Sequence, residues 1–190
     1  MALKRSRKNS SAGHDMRSKL LRLKSTPKPS ALKGNGSGVQ NLSYIRKMVR
    51  KAKACGLTVV TTNGCFDIVH TGHIHYLEEA KKLGDLLVVG INSDSSVRRN
   101  KGNQRPIVPE RERARVIAAL KPVDAVFIFD DETPRVWLKI LKPHIHVKGA
   151  DRSMEHIIER EVVEEGGGKV VLVPYVKYHS TSDIIKKILR

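Results

Sequence analysis

Residues 61–77 read TTNGCFDIVHTGHIHYL, which sets Asn63, Gly64, Cys65, Phe66 and Asp67 just ahead of His70, His73 and His75. Such residues could serve a metal site, a phosphate cradle, or a plain strand-to-helix corner. Zinc sites want Cys or His pairs with two-residue spacers and a second pair elsewhere. Cys65 and His70 lack that spacing and no second pair follows. His144 and His146 alternate along a strand-like run and read as structural, as does His75. A phosphate cradle fits the spacing better. Gly64 lets a ligand approach the backbone closely. His70 and His73 are three apart at a helix start, which puts both imidazoles on one side beside the Thr71 hydroxyl. The helix N-terminus adds N–H donors and partial positive charge.

Those residues need a frame, and the pattern downstream supplies one. A helix is expected from an N-cap at Ser43, with Ile45, Met48, Val49 and Ala52 on one face and Gly56 as its stop. Apolar runs at 57–62, 86–92, 124–129, 144–149 and 169–175 read as strands. They alternate with helices expected over 71–83, 109–120, 133–141 (capped by Thr133), 154 up to the glycines at 166–168, and 180–189. Five nearly unbroken apolar strands alternating with helices predict an α/β fold with a parallel sheet covered on both faces. Ligands of such sheets lie beyond the carboxyl ends of the strands. There the sequence places Asn92 and Asp94, then a polar stretch to Pro109, then Lys148 to Arg152, and the run YHSTSD. Lys101, Arg105, Lys148 and Arg152 converge on that edge, as an anion site requires.

The charge is uneven. The net charge is +17, but up to Cys55 the chain carries 15 Lys and Arg against one acidic residue, Asp15, while the remainder carries 21 against 18. Residues 1–41 are expected to form a disordered basic tail, a solvated extension able to touch polyanions or act as a transit segment; residues 42–190 form the domain. The basicity thus belongs to the tail, which argues against the whole domain binding nucleic acid. Cys55 and Cys65 do not read as a disulfide framework and suit a reducing compartment, the cytoplasm. No apolar run reaches 18 residues, so no membrane span is expected, and no secretory signal follows the basic start.

The stretch TNGCFDIVHTGHIHYLEEAKKLGD carries a His-x-Gly-His motif and resembles the cytidylyltransferase-like nucleotidyltransferases. With VVGINSDSSVRRNKGNQRPIVPERERARVIAAL and VKGAD it is similar, from about residue 42 to the end, to the adenylyltransferases that form ADP-heptose from D-glycero-β-D-manno-heptose 1-phosphate. Many of those are fused to a sugar kinase. The resemblance implies a Rossmann-like, doubly wound five-stranded sheet, ATP and a sugar phosphate as partners, Mg²⁺ bound through the ATP phosphates, and a homodimer. It implies catalytic roles for His70, His73 and Lys101. Asn63, Gly64, Cys65, Phe66, Asp67, Gly72, Asn92, Asp94, Arg113, Lys148, Gly149, Asp151, Ser180, Thr181 and Ser182 would bind nucleotide, and Arg105 and Pro106 the acceptor.

The chain departs from that family in three places. Ser180-Thr181-Ser182 stands where the family has Ser-Thr-Thr. Lys148-Gly149-Ala150-Asp151-Arg152 stands for Lys-Gly-Gly-Asp-Tyr, and the basic tail is extra. Glycerol-3-phosphate cytidylyltransferases and archaeal-type FAD synthetases share the His-x-Gly-His turn and are the neighbouring readings. A polyanion binder acting through the tail and a regulatory nucleotide-binding protein are the non-enzymatic ones.

Overall fold

In the computed structural model, residues 38–150, 157–174 and 181–188 are described. The elements run β1 (Val39–Gln40), α1 (Leu42–Ala54), β2 (Val59–Gly64), α2 (Thr71–Lys82), β3 (Leu86–Asn92), α3 (Asp94–Lys101), α4 (Glu110–Ala118), β4 (Ala125–Phe129), α5 (Arg135–Leu141), β5 (Ile145–Gly149), α6 (Arg160–Glu165), β6 (Lys169–Val173) and α7 (Thr181–Ile188). All strand pairs are parallel, in the order β1-β4-β3-β2-β5-β6.

The chain winds from β2 outward through β3 to β4, then crosses back to place β5 on the other side of β2. The order therefore reverses between β2 and β5, and a crevice opens at their carboxyl ends. Every residue of β3, LLVVGIN, is buried, as expected of a strand covered on both faces. Alternate side chains feed two cores. Val59, Leu86, Val88 and Phe127 face α1, α5 and α6, around the fully buried Trp137. Val60, Leu87, Val89 and Val126 face α2 and α4 through Leu77, Ala80, Ala114 and Ile117.

The structure corrects the sequence reading in several places. The sheet has six strands, not five. Val39 pairs with Val126 and Gln40 with Phe127, inside the segment expected to be tail. Two residues carry no periodicity of their own; the exposed edge of β4 recruits them. Gly38 turns the chain in at φ +74, where a Cβ would lie 2.6 Å from that of Ala118. Asn41, not Ser43, caps α1, its Oδ1 accepting from the Tyr44 N–H at 2.8 Å. The polar stretch after β3 contains the helix α3. Only Ser96 and Val97 of it are buried, too little to give an apolar stripe. Helix α5 begins after Pro134, without a side-chain cap from Thr133. Among the described residues of the longer run expected there, helix α6 covers Arg160–Glu165; residues 154–156 of that run lie outside the described residues.

Candidate active site

The turn after β2 is built around Phe66. Its backbone is left-handed at φ +46, a conformation costly for a non-glycine residue. Its ring is buried and lies 5.2 Å from that of His73. Gly64 makes that fold possible, since a Cβ there would sit 2.9 Å from Phe66 Cε2. His70 occupies the N-cap position of α2 in extended conformation, and its ring stacks on His73 with centroids 3.9 Å apart. The i, i+3 placement expected from sequence is what the backbone delivers. One turn on, the Tyr76 hydroxyl reaches Thr62 Oγ1 at 2.7 Å and donates to the Val147 carbonyl at 2.9 Å, tying α2 across β2 to β5.

Two buried ion pairs hold the segment between α3 and α4 against this turn. The Asp67 carboxylate accepts from the N–H groups of Ile107 and Val108, both at 2.9 Å, and from Arg105 Nε at 2.6 Å. Burial alone would raise its pKa. The donors from Val108, Ile107 and Arg105 outweigh that and hold it below the usual carboxylate range. Arg113, 1% exposed, donates to the carbonyls of Val108 (2.8 Å), Asn92 (2.8 Å) and Cys65 and to Asp94 Oδ1 (2.7 Å). One guanidinium thus joins the ends of β2 and β3, the start of α3 and the approach to α4.

Across the crevice, at the end of β5, Lys148 Nζ donates to Asn63 Oδ1 at 3.2 Å and to Glu159 Oε1 at 2.6 Å. Thr181, first residue of α7, donates to the Ile68 carbonyl at 3.3 Å. That bond brings the start of the last helix beside the histidine turn.

These walls enclose a cavity of about 640 Å³. Asn63, Gly64, Cys65, Phe66, Asp67, His70, Gly72 and His73 line it from the β2–α2 side. Asn92, Lys101 and Arg105 line it from β3 and α3, and Lys148, Gly149 and Thr181 from the far side. Asp94, Pro106 and Arg113, expected to touch ligand, do not line it. Asp94 is spent on Arg113, and Arg113 on Asp94 and three backbone carbonyls, while Pro106 lies in the segment that Asp67 ties down. Asp151 and Ser180 lie outside the described residues, as does the side chain of Ser182.

Tyr76, Asn100, Glu132, Thr133, Pro134, Ile158, Glu159, Val173 and Pro174 also line it and were not expected there. Tyr76 follows the motif on the helical face of His73, a signal that was there to be used, and Glu132 follows β4 at its carboxyl end. Nothing local marks the others.

Among the described lining side chains, Arg105 pairs with Asp67 and Lys148 with Glu159, which leaves Lys101, the imidazoles of His70 and His73 and the N–H groups at the start of α2 to meet an anion, with Glu132 as the remaining carboxylate. Burial, then the neighbouring His70 and Lys101, push the His73 pKa down to about 4, so its ring is neutral at physiological pH. Its Nδ1 is buried without a hydrogen-bond partner among the described residues. An anion arriving here would reverse the local field and favour the imidazolium.

The arrangement agrees with the comparisons to known proteins. The family model for cytidylyltransferase-like proteins matches residues 61–187. The chain is 48% identical over 157 residues to the bifunctional protein HldE of Citrifermentans bemidjiense, covering 83% of this chain and 32% of that one. It is 47% identical over 152 residues to HldE of Geobacter sulfurreducens, covering 80% and 31%. The chain thus spans about a third of the length of these curated relatives. The crystal structure of the lipopolysaccharide core biosynthesis protein from Thermoplasma volcanium is similar at a TM-score of 0.55 and 37% identity, over 65% of this chain and 100% of that one. With the His-x-Gly-His turn at the mouth of a parallel-sheet crevice, these matches make the chain a member of the cytidylyltransferase-like family of nucleotidyltransferases.

Proposed function

We propose that the chain transfers AMP from ATP to a sugar 1-phosphate, D-glycero-β-D-manno-heptose 1-phosphate, giving ADP-heptose and pyrophosphate. The observation that carries this is the stacked His70–His73 pair at the N-terminus of α2, facing a crevice with Lys101 and Arg105 on the same side. The relatives named HldE and the lipopolysaccharide core protein support a heptose acceptor.

In this reading a phosphate oxygen of the sugar attacks the α-phosphorus in line, and pyrophosphate leaves. No covalent enzyme intermediate is needed, so the site has to position two anions and neutralise charge moving onto the leaving group. His70, His73, Lys101 and the start of α7 at Thr181, which all line the cavity, would do that. The magnesium ion would travel on the triphosphate and screen its charge. Among the described residues no three His, Cys, Asp or Glu side chains group into a metal site, which suits an ion held through the phosphates.

A pyrophosphate-release assay crossing ATP and CTP with heptose 1-phosphate, glycerol 3-phosphate and FMN tests the proposal. Turnover with ATP and heptose 1-phosphate is expected. Turnover confined to CTP with glycerol 3-phosphate, or to ATP with FMN, would replace it with a sister activity.

A further inference from the structure

The cavity wall holds two ion pairs, Arg105–Asp67 and Lys148–Glu159. Both Asp67 oxygens already accept hydrogen bonds, whereas the Lys148–Glu159 pair leaves capacity over. Here a carboxylate lies 2.6 Å from the ammonium, with side chains only 13% and 3% exposed. The pair is neutral as a unit and is not built to take a phosphate. It still has hydrogen-bonding capacity. Glu159 Oε2 is buried and has no partner among the described residues, so an acceptor waits in the wall. Lys148 has three N–H donors, and Asn63 and Glu159 take two of them. Ile158, Val173 and Pro174 line the cavity beside it, giving an apolar surface next to an adjacent donor and acceptor.

A group that both donates and accepts, carried on a carbon skeleton, satisfies that combination. A leftover buried carboxylate oxygen costs stability unless something fills it, and a hydroxyl hydrogen bond to a charged group is among the stronger neutral-to-ionic contacts. We propose that Glu159, with Lys148, is a specificity-determining pair that binds a hydroxyl group of the ligand and separates the hydroxyl-bearing end of the site from its phosphate end. The hydroxyl belongs either to the nucleoside ribose or to the acceptor sugar. The assignment rests on the reading of the cavity as a nucleotidyl-transfer site.

The test is calorimetric titration of the full chain and its E159Q variant with three ligands: ATP, the sugar 1-phosphate and inorganic tripolyphosphate. Glutamine keeps the hydrogen bond to Lys148 but removes the charge. E159Q should weaken ATP or the sugar phosphate by roughly tenfold or more, the ligand affected being the one whose hydroxyl is bound. Tripolyphosphate, which has no hydroxyl on carbon, should bind E159Q as well as or more tightly than the wild type, because Lys148 is no longer neutralised. Loss of all three ligands together would make Glu159 a merely structural support, and no change in any would leave it without a role; either overturns the assignment. If the wild type binds neither ATP nor tripolyphosphate, the reading of the cavity fails and the assignment falls with it. Should E159Q lose its fold, E159D, which keeps the charge on a shorter arm, must show the same split between hydroxyl ligands and tripolyphosphate.

Discussion

Arg113 offers the sharpest test, because sequence and structure give it different jobs. As a nucleotide ligand its loss would lower ATP affinity and leave stability alone. The structure instead buries it completely and spends it on three carbonyls and one carboxylate. In Arg113→Ala the carbonyls of Cys65, Asn92 and Val108 lose their shared donor. Asp94, a quarter exposed, can recover some hydration. Leaving one buried acceptor unsatisfied costs about 1–3 kcal/mol, and breaking a buried charge pair about 3–5 kcal/mol. These are alternative descriptions of one loss rather than independent increments. We therefore expect about 3–5 kcal/mol, a large part of the ~5–15 kcal/mol that holds a domain together. Arg113→Lys keeps the charge but not the fork, and should recover less than half of that. The single tryptophan, Trp137, is fully buried between Phe127 and Phe129 and reports unfolding by fluorescence in urea. If Arg113→Lys unfolds at the wild-type urea midpoint while its ATP affinity drops a hundredfold, the side chain is a ligand contact and the argument is wrong.

Other consequences can be checked independently. His73→Ala should lower turnover about 10²–10³-fold, the typical loss of one transition-state donor, with stability within about 1 kcal/mol of wild type; a variant with near-normal turnover would remove His73 from catalysis. Because the His73 pKa is depressed in the free protein and an anion raises it, ATP binding near pH 6 should take up protons, read by calorimetry in buffers of different ionisation enthalpy; equal heats in all buffers would contradict this. The Asp67 pKa is also depressed, so its contribution to stability is full above the ordinary Asp value and is lost as pH falls through the folded value. Asp67→Asn should flatten the acid limb of the stability curve, and an unchanged limb would show that its donors are not the cause. Deleting residues 1–37 should leave activity intact, whereas deleting 1–41 also removes β1 and the Asn41 cap. The cap alone is worth about 1 kcal/mol, so equal urea midpoints for the two truncations would deny β1 and the cap a stabilising role.

The parts of the molecule legible in the sequence are those whose information is local. The unbroken apolar run of β3, the Gly64 turn and the i, i+3 histidines all state their structure within a few residues. Strand β1 does not, because Val39 and Gln40 become a strand only when β4 offers an edge. Helix α3 buries a single apolar side chain, so period alone could not mark it. Arg113 looked like a ligand because its partners come from segments up to 48 positions away. Glu159 fell within a run expected to be helical, with no local mark of burial; its partner Lys148 arrives from β5. In each case the missing information was long-range packing or a buried charge, which a linear pattern does not carry.

The two banks of the crevice are held by different amounts of structure. On the histidine bank, Asp67 and Arg113 bolt the ends of β2 and β3, the start of α3 and the approach to α4 into one block. A substitution there disturbs every part of the block at once. On the opposite bank, among the described residues, one ion pair joins Lys148 of β5 to Glu159 in the turn before α6, with Asn63 as the second acceptor of Lys148. If that pair selects a ligand hydroxyl as proposed, changes there would alter what the crevice accepts while the block on the other bank stays in place, and a scaffold of this kind could acquire new acceptors without rebuilding its phosphate side.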